Sequence, residues 1–258
     1  MNNRHWENLK NLILVAGHAV YTADNFDHPD NDDNWYLQDF QKGEPPFYIE
    51  HIRYGVDLAE QDRESLLVFS GGQTRFEAGP RSEAQSYWCI ADHFKWWWKT
   101  NVRLRATTEE FARDSLENVL FGICRFKECT GQYPSNITVV SWAFKKDRFA
   151  KHLRAIGFPE EAFTFVGVNN PVDLDGAERG ERKANKAFED DPYGIKEAPE
   201  GTSEEEKKKL GLLGDKRKDR NPFNRQHPYE TSCPDLKELL AYRDTKEKLW
   251  WQILVTKK

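Results

Sequence analysis

Five short groups of residues in this 258-residue chain carry side chains that do chemistry. Gly17-His18 stands directly after an apolar run at 12–16. An imidazole titrates near neutrality, so His18 can act as acid, base or anion donor. Ser70-Gly71-Gly72 ends the run Leu66, Leu67, Val68 and Phe69. Glycines there let the backbone turn tightly and approach a ligand. Ser82-Glu83-Ala84 follows ten residues later. The helix dipole alone favours a glutamate in a first turn. The functional reading is that Glu83 faces the glycine turn and orients a hydroxyl or a water.

The fourth group is Asp114-Ser115-Leu116-Glu117-Asn118. Asp114 or Ser115 caps the following helix and Glu117 completes a capping box. Capping explains Asp114, Ser115 and Glu117 but does not require Asn118. The fifth is the stretch from Ser141 to Arg148, with Lys145, Lys146 and Arg148 in the first turns of a helix. Cations stabilise helix C-termini and cost stability at N-termini. Their presence at a start points to an anion, which the free amides there would also bind.

Four apolar strands position these groups, at 12–16, 66–69, 137–140 and 163–166. Another is expected around 102–105. Helical patterns lie between them at 46–61, 80–99, 114–131 and 145–156. Strands alternating with helices of this length predict an α/β fold, Rossmann-like and doubly wound, with a mainly parallel sheet and helices on both faces. Continuous apolar runs fit strands buried on both faces. Ligands of such sheets sit outside the strands' carboxyl ends. The expected site therefore joins Gly17, His18, Ser70, Gly71, Gly72, Ser141, Lys145 and Arg148, with Glu83, Ser115, Glu117 and Asn118 nearby.

The domain reading is a Rossmann-like core at 1–172, a charged and partly mobile surface insertion at 173–220, and an ordered segment with a terminal helix at 221–258. The insertion is rich in Glu, Lys, Asp and Gly and cannot bury a core of its own; one short helix is expected at 203–210. The segment at 221–234 holds three prolines, two aromatics and His227. It is read either as folding over the cleft, bringing Arg225 or His227 to the ligand, or as a plain tether. The last helix is expected from Pro234 to about Trp250. Trp96-Trp97-Trp98 ends the helix after Pro80; successive residues lie about 100° apart, so the three cannot share one face. Core packing plus a homodimer interface is the expectation.

A net charge of −5 and a pI of about 5.9 give no global field for nucleic acid. Nothing approaches the roughly 20 apolar residues of a membrane span. The first ten residues lack the apolar core of a signal peptide. Four cysteines without zinc-type spacing fit a reduced, cytoplasmic protein, with Cys89 and Cys124 as buried thiols. The acidic loop at 24–34 lacks the glycine and terminal glutamate of an EF-hand and is read as a solvated loop.

Taken in order, Val15-Ala16-Gly17-His18, Ser70-Gly71-Gly72, Ser82-Glu83-Ala84, Ser115-Leu116-Glu117-Asn118 and the stretch from Ser141 to Arg148 resemble the family called domain of unknown function 218, the YdcF, SanA and ElyC group. The resemblance covers roughly residues 10–170. The segments at 16–21 and 144–149 resemble its fungal branch. It implies a Rossmann-like fold and, from one bacterial member, an association with S-adenosylmethionine. Two positions depart from the family pattern: Lys145 replaces a histidine, after an insertion at Trp142-Ala143, and His18 replaces a second glycine.

The resulting expectation is a small anionic ligand, a nucleotide or another phosphorylated molecule. His18, Glu83 and Glu117 would be catalytic, in a hydrolase or transferase, with a divalent cation as an optional helper. The ligand would be held by Gly17, Ser70, Gly71, Gly72, Ser115, Asn118, Ser141, Lys145, Arg148 and His227. A sensor of nucleotide or S-adenosylmethionine without turnover and a protein-binding scaffold are the alternatives. A methyltransferase fits less well. Ser70 stands where an acid would hold a ribose, and no G-x-G-x-x-G run follows the first strand.

Overall fold

The computed structural model describes residues 6–243. Five strands form one parallel sheet: β1 (Asn11–Ala16), β4 (Ser65–Ser70), β5 (Ala106–Glu109), β6 (Asn136–Ser141) and β7 (Phe163–Gly167). Their order is β5-β4-β1-β6-β7. A separate two-stranded ribbon pairs β2 (Val20–Tyr21) with β3 (Trp35–Tyr36) antiparallel. The sheet is doubly wound and Rossmann-like, as the alternation of elements predicts. Helices α1 (Pro45–Gln61) and α2 (Glu83–His93) cover one face; α4 (Ser115–Thr130) and α5 (Lys146–Ala155) cover the other. A short helix, α3 (Thr100–Arg103), precedes β5.

The two-residue period of a strand divides each apolar run between the two faces. Leu12, Leu14 and Ala16 of β1 join one core cluster with Leu66, Val68, Ile137 and Val139. Ile13 and Val15 join the other with Leu67, Phe69 and Val140. The order of crossovers reverses at β1, so neighbouring chains leave the β1 and β6 ends in opposite directions. A crevice opens there, at the topological switch point of the sheet.

Several expectations need correction. The third strand starts at Ala106, not Val102, because α3 occupies the preceding turn. The helix after Pro80 runs only from Glu83 to His93. Lys95, Trp96, Trp97 and Trp98 then adopt left-handed φ values between 47° and 67°. Such residues cost about 1–2 kcal/mol each. Burial of Trp96, with its Nε1–H donated to Asp92 at 2.9 Å, offsets part of that cost. Trp98 is 81% exposed. In the acidic loop, the Asp32 carboxylate accepts the Gly43 amide, which ties the loop down.

The charged segment carries three helices rather than one: α6 (Leu174–Asp190), α7 (Glu204–Leu210) and α8 (Leu213–Asp219). Helix α6 packs on α5. It buries Glu181 and Phe188, with Ala177 and Ala184 half-buried beside them, so it carries little apolar bulk and reads as surface from composition. Two short helices follow, α9 (Tyr229–Ser232) and α10 (Lys237–Leu240). Leu236, Leu239 and Leu240 are buried, but the helix expected from Pro234 to about Trp250 ends at Leu240, where Tyr242 turns left-handed at φ 55°; Leu249 and Trp250 lie outside the described residues. Among the described residues all four cysteines are free; Cys124 is buried and Cys89 is half-buried. No helix among them is long and apolar enough to cross a membrane.

Candidate functional site

A cleft of about 530 Å³ lies at the carboxyl ends of β1 and β6. Gly17, His18, Glu83, Ser115, Asn118, Ser141, Lys145 and Arg148 of the expected set all reach its wall. After β1 the Gly17 amide donates to Ser70 O at 2.7 Å, which carries the ladder one residue further. His18 then turns its ring toward β6. Its Nε2 lies 3.5 Å from Ser141 Oγ and its Nδ1 lies 3.4 Å from Lys145 Nζ. An amine donates to Nδ1, which assigns the ring proton to Nε2. Trp142, Tyr48 and His51 surround the ring at centroid distances of 5.8, 5.7 and 5.3 Å. Burial, then the charge of Lys145, holds His18 well below the ordinary histidine range. The imidazole is therefore neutral at physiological pH and positions Lys145 rather than carrying charge.

Lys145 has no carboxylate within 4 Å among the described residues. Burial and the neighbouring Arg148 guanidinium push its amine down to about 7, against Glu181, Glu44 and Glu83. Arg148 is ion-paired to Glu181 of α6 at 2.9 Å, and its buried Nε has no partner. The same helix that was read as surface thus supplies a carboxylate to the cleft wall. Removing Arg148 would strand a buried Glu181, so Arg148 holds the cleft wall together as well as facing it.

Glu83 sits in the first turn of α2, which Ser82 caps through the Gln85 amide at 2.9 Å. Thr74 Oγ1 donates to Glu83 Oε1 at 2.7 Å. Burial raises the Glu83 carboxyl above its ordinary range. The glycines before it make room for this side chain. A Cβ on Gly17 would stand 2.7 Å from Glu83 Cβ, and one on Gly71 would stand 2.6 Å from Glu83 Oε2. Gly71 also has a φ of 156°. Gly71→Ala should therefore lower stability by about 1–3 kcal/mol through overpacking. Urea unfolding checks this, and an unchanged midpoint would show that Glu83 moves aside freely.

Ser70, Gly71 and Gly72 do not line the cleft, contrary to the sequence reading. Ser70 is buried behind it, donating to Glu109 Oε2 at 2.7 Å and accepting from Asn118 Nδ2 at 2.9 Å. The Gly72 amide donates to Ala112 O at 2.7 Å, where a Cβ would lie 2.8 Å from the same oxygen. These residues build the floor that holds Asn118 and Glu83. Ser115 Oγ lies 2.7 Å from Nε2 of His152, whose ring burial pushes down to about 3.

Glu117 is not a catalytic candidate in this geometry. It is fully buried, paired with Arg113, Arg217 and the Tyr242 hydroxyl, and lies off the cleft wall. Its carboxylate accepts the Arg113 amide instead of closing a capping box on Asp114. His227 also lies away from the cleft, packed on Phe121 and Tyr229 at 4.7 and 5.8 Å. The segment at 221–234 covers β5 and α4: Tyr229 donates to Glu109 at 3.2 Å and Arg225 to Glu110 O at 3.0 Å. It does not fold over the cleft.

Three cleft cations were missed by sequence reasoning, one of which, Arg113, is held by Glu117. Arg75, three residues beyond Gly72, and Arg220, at the C-terminal end of α8, both line the cleft. Neither has a carboxylate within 4 Å among the described residues; they donate to Thr74 O and Arg113 O. Burial, then Arg220, lowers Arg75 below its ordinary range, so the two repel each other. No sequence pattern separates Arg220 from the other charges of its segment. Phe40, 71% exposed, stands at the rim. No group of three or more His, Cys, Asp or Glu among the described residues is arranged to hold a metal.

The fold and cleft define an open parallel α/β protein with a crevice at its switch point whose wall carries five cations and five carboxylates. No family model matches the chain. It is similar to the uncharacterized protein YOR238W of Saccharomyces cerevisiae, with 28% identity covering 84% of this chain and 86% of that protein. No solved structure matches.

Proposed function

We propose that this chain binds a phosphorylated small molecule, a nucleotide among the candidates, in the cleft at the β1 and β6 ends. The observation that carries the proposal is the convergence of Lys145, Arg75 and Arg220 on one cleft with no carboxylate within 4 Å among the described residues. Unpaired cations gathered in a partly buried cleft repel one another and are neutralised by a polyanion. Arginine forks fit phosphate oxygens in two-point contacts. The switch-point location is where open α/β sheets take ligands.

The same cations argue against S-adenosylmethionine, whose sulfonium is itself positive. The resemblance to domain of unknown function 218 remains part of the proposal, and phosphoryl hydrolysis or transfer remains its catalytic form. Glu83 is then the acid–base residue, its carboxyl held ready by Thr74. Glu83→Gln should lose turnover and keep affinity.

Inorganic pyrophosphate should raise the melting temperature by mass action on the native state. The stabilisation at a hundredfold excess over Kd is about 2.7 kcal/mol. The double variant Arg75→Ala/Arg220→Ala should melt like the parent without pyrophosphate and lose the protection. Neither residue is in a carboxylate pair, so the variant tests the site without breaking the fold. Protection retained in the double variant, or matched by sulfate at equal ionic strength, would overturn the reading.

A further inference from the structure

We propose that the Lys145 amine is a nucleophile toward carbonyl carbons, and that the cleft takes phosphorylated aldehydes or ketones as imine-forming ligands. This rests on the anion-binding reading above and assigns it a substrate class. A lysine that only binds phosphate works as an ammonium, and neighbouring carboxylates keep it so. Lys145 is arranged otherwise. Among the described residues no carboxylate lies within 4 Å of its nitrogen, its polar neighbour is the neutral His18 at 3.4 Å, and the Arg148 charge opposes a second cation there. Burial and a second cation are the conditions that free a lysine lone pair for attack on a carbonyl.

The charged and titratable groups that face Lys145 come from every wall of the cleft. They are His18 after β1, Glu44 and His51 at α1, Glu83 of α2, Arg148 of α5 and Glu181 of α6. The three carboxylates raise the amine, yet burial and Arg148 outweigh them and leave it near 7. The free amine is then accessible at neutral pH. Arg148, Arg75 and Arg220 remain to hold the phosphate. The cleft, at about 530 Å³, falls within the size range of small-ligand pockets.

The step is balanced without any oxidant or reductant. The amine lone pair forms the new C–N bond, and the carbonyl π electrons move to oxygen. The carbinolamine oxygen receives two protons in all, both from the former amine nitrogen by way of cleft groups. It then leaves as water while the nitrogen lone pair closes the C=N bond. Glu83, whose burial favours its protonated form, lends the proton that the leaving oxygen needs and recovers one from nitrogen.

Borohydride reduction fixes an imine as a secondary amine that peptide mass spectrometry can locate. The whole protein is treated with pyridoxal 5′-phosphate, as a phosphorylated aldehyde, and with unphosphorylated pyridoxal. At pH 7 Lys145 should be labelled at least about tenfold faster than the exposed Lys10 and Lys42, which are ion-paired to Glu64 and Asp39 outside the cleft. Unphosphorylated pyridoxal should label Lys145 at least about tenfold more slowly, since it lacks the group the arginines hold. Labelling of Lys145 should rise with pH and level off just above 7. This profile is read on the parent chain, so the result stands even if Lys145→Arg fails to fold. Lys145 labelled no faster than Lys10 and Lys42 overturns the inference, and equal rates with the two aldehydes overturn its phosphorylated class. If pyrophosphate still protects the protein while Lys145 is not trapped, the binding proposal survives and this inference alone fails. Loss of both would remove the anion site itself.

Discussion

Arg217→Met should lower the unfolding free energy by about 3–5 kcal/mol at neutral pH. Arg217 is a buried guanidinium from the charged segment, set between two buried carboxylates. Its Nη2 lies 2.6 Å from Asp114 Oδ2 and its Nε 3.1 Å from Glu117 Oε1. Its Nη1 donates to Tyr193 O at 2.9 Å. A methionine fills comparable volume and leaves Asp114 as an uncompensated buried charge. Glu117 keeps Arg113 and so loses less. Arg217 and the Glu117 amide hold the Asp114 carboxyl down to about 2 against the effect of burial. A carboxyl depressed in the folded state adds stability above its unfolded pKa of about 3.9. That stability disappears as pH falls through 2. The difference between parent and variant should therefore be full at pH 7 and shrink below pH 4. Urea unfolding at both pH values measures it. A loss under about 1 kcal/mol at pH 7, typical of an exposed ion pair, would contradict the account. Docking of α8 also places Arg220, three residues beyond Arg217, in the cleft.

The affinity for a nucleoside diphosphate should fall by up to about tenfold per pH unit above 7, the limit for one linked proton. The ligand loses its last phosphate proton near pH 6, so it is fully charged across this range. His18 and His51 are held low by burial and stay neutral. Glu44, Glu83 and Glu181 are raised above their ordinary range and oppose the anion when ionised. Lys145, near 7, is the cation that is lost as pH rises. An anion binds the ammonium form and pulls a proton onto it, so affinity declines once that proton must come from scarcer sources. Lys145→Met should bind more weakly at pH 6.5 and show a flatter profile. Calorimetric titration at pH 6.5, 7.5 and 8.5 gives both slopes. A parent profile as flat as the variant's would assign the cation role elsewhere.

The sheet was readable from sequence because its central strands β1 and β4 are buried on both faces. Leu12, Leu14, Leu66 and Val68 face one core while Ile13, Val15, Leu67 and Phe69 face the other, and such runs have few alternatives. The stretch at 102–105 misled because Val102 and Leu104 mimic a strand, yet the chain makes a turn of helix there. Helix α6 escaped notice because it buries one ion-paired glutamate and a single phenylalanine, too little apolar surface to mark a core helix. His18, Ser141 and Lys145 could be anticipated, since each lies at, or within four residues of, a strand's carboxyl end. Ser70-Gly71-Gly72 was misjudged in role, because a glycine turn that seats a glutamate looks the same in sequence as one that seats a ligand. Glu117 was misjudged because its partners Arg217 and Tyr242 lie 100 and 125 residues away. Arg75 and Arg220 were invisible for the same reason: only the folded chain brings them together.

The central claim is that the cleft at the β1 and β6 ends is an anion site. A crystal structure grown with inorganic pyrophosphate tests it most directly. The account predicts pyrophosphate density within hydrogen-bond distance of Lys145, Arg75 and Arg220, with the Arg148–Glu181 pair intact beside it. Ordered pyrophosphate on some other surface, with Arg75 and Arg220 turned away from an empty cleft, would contradict it.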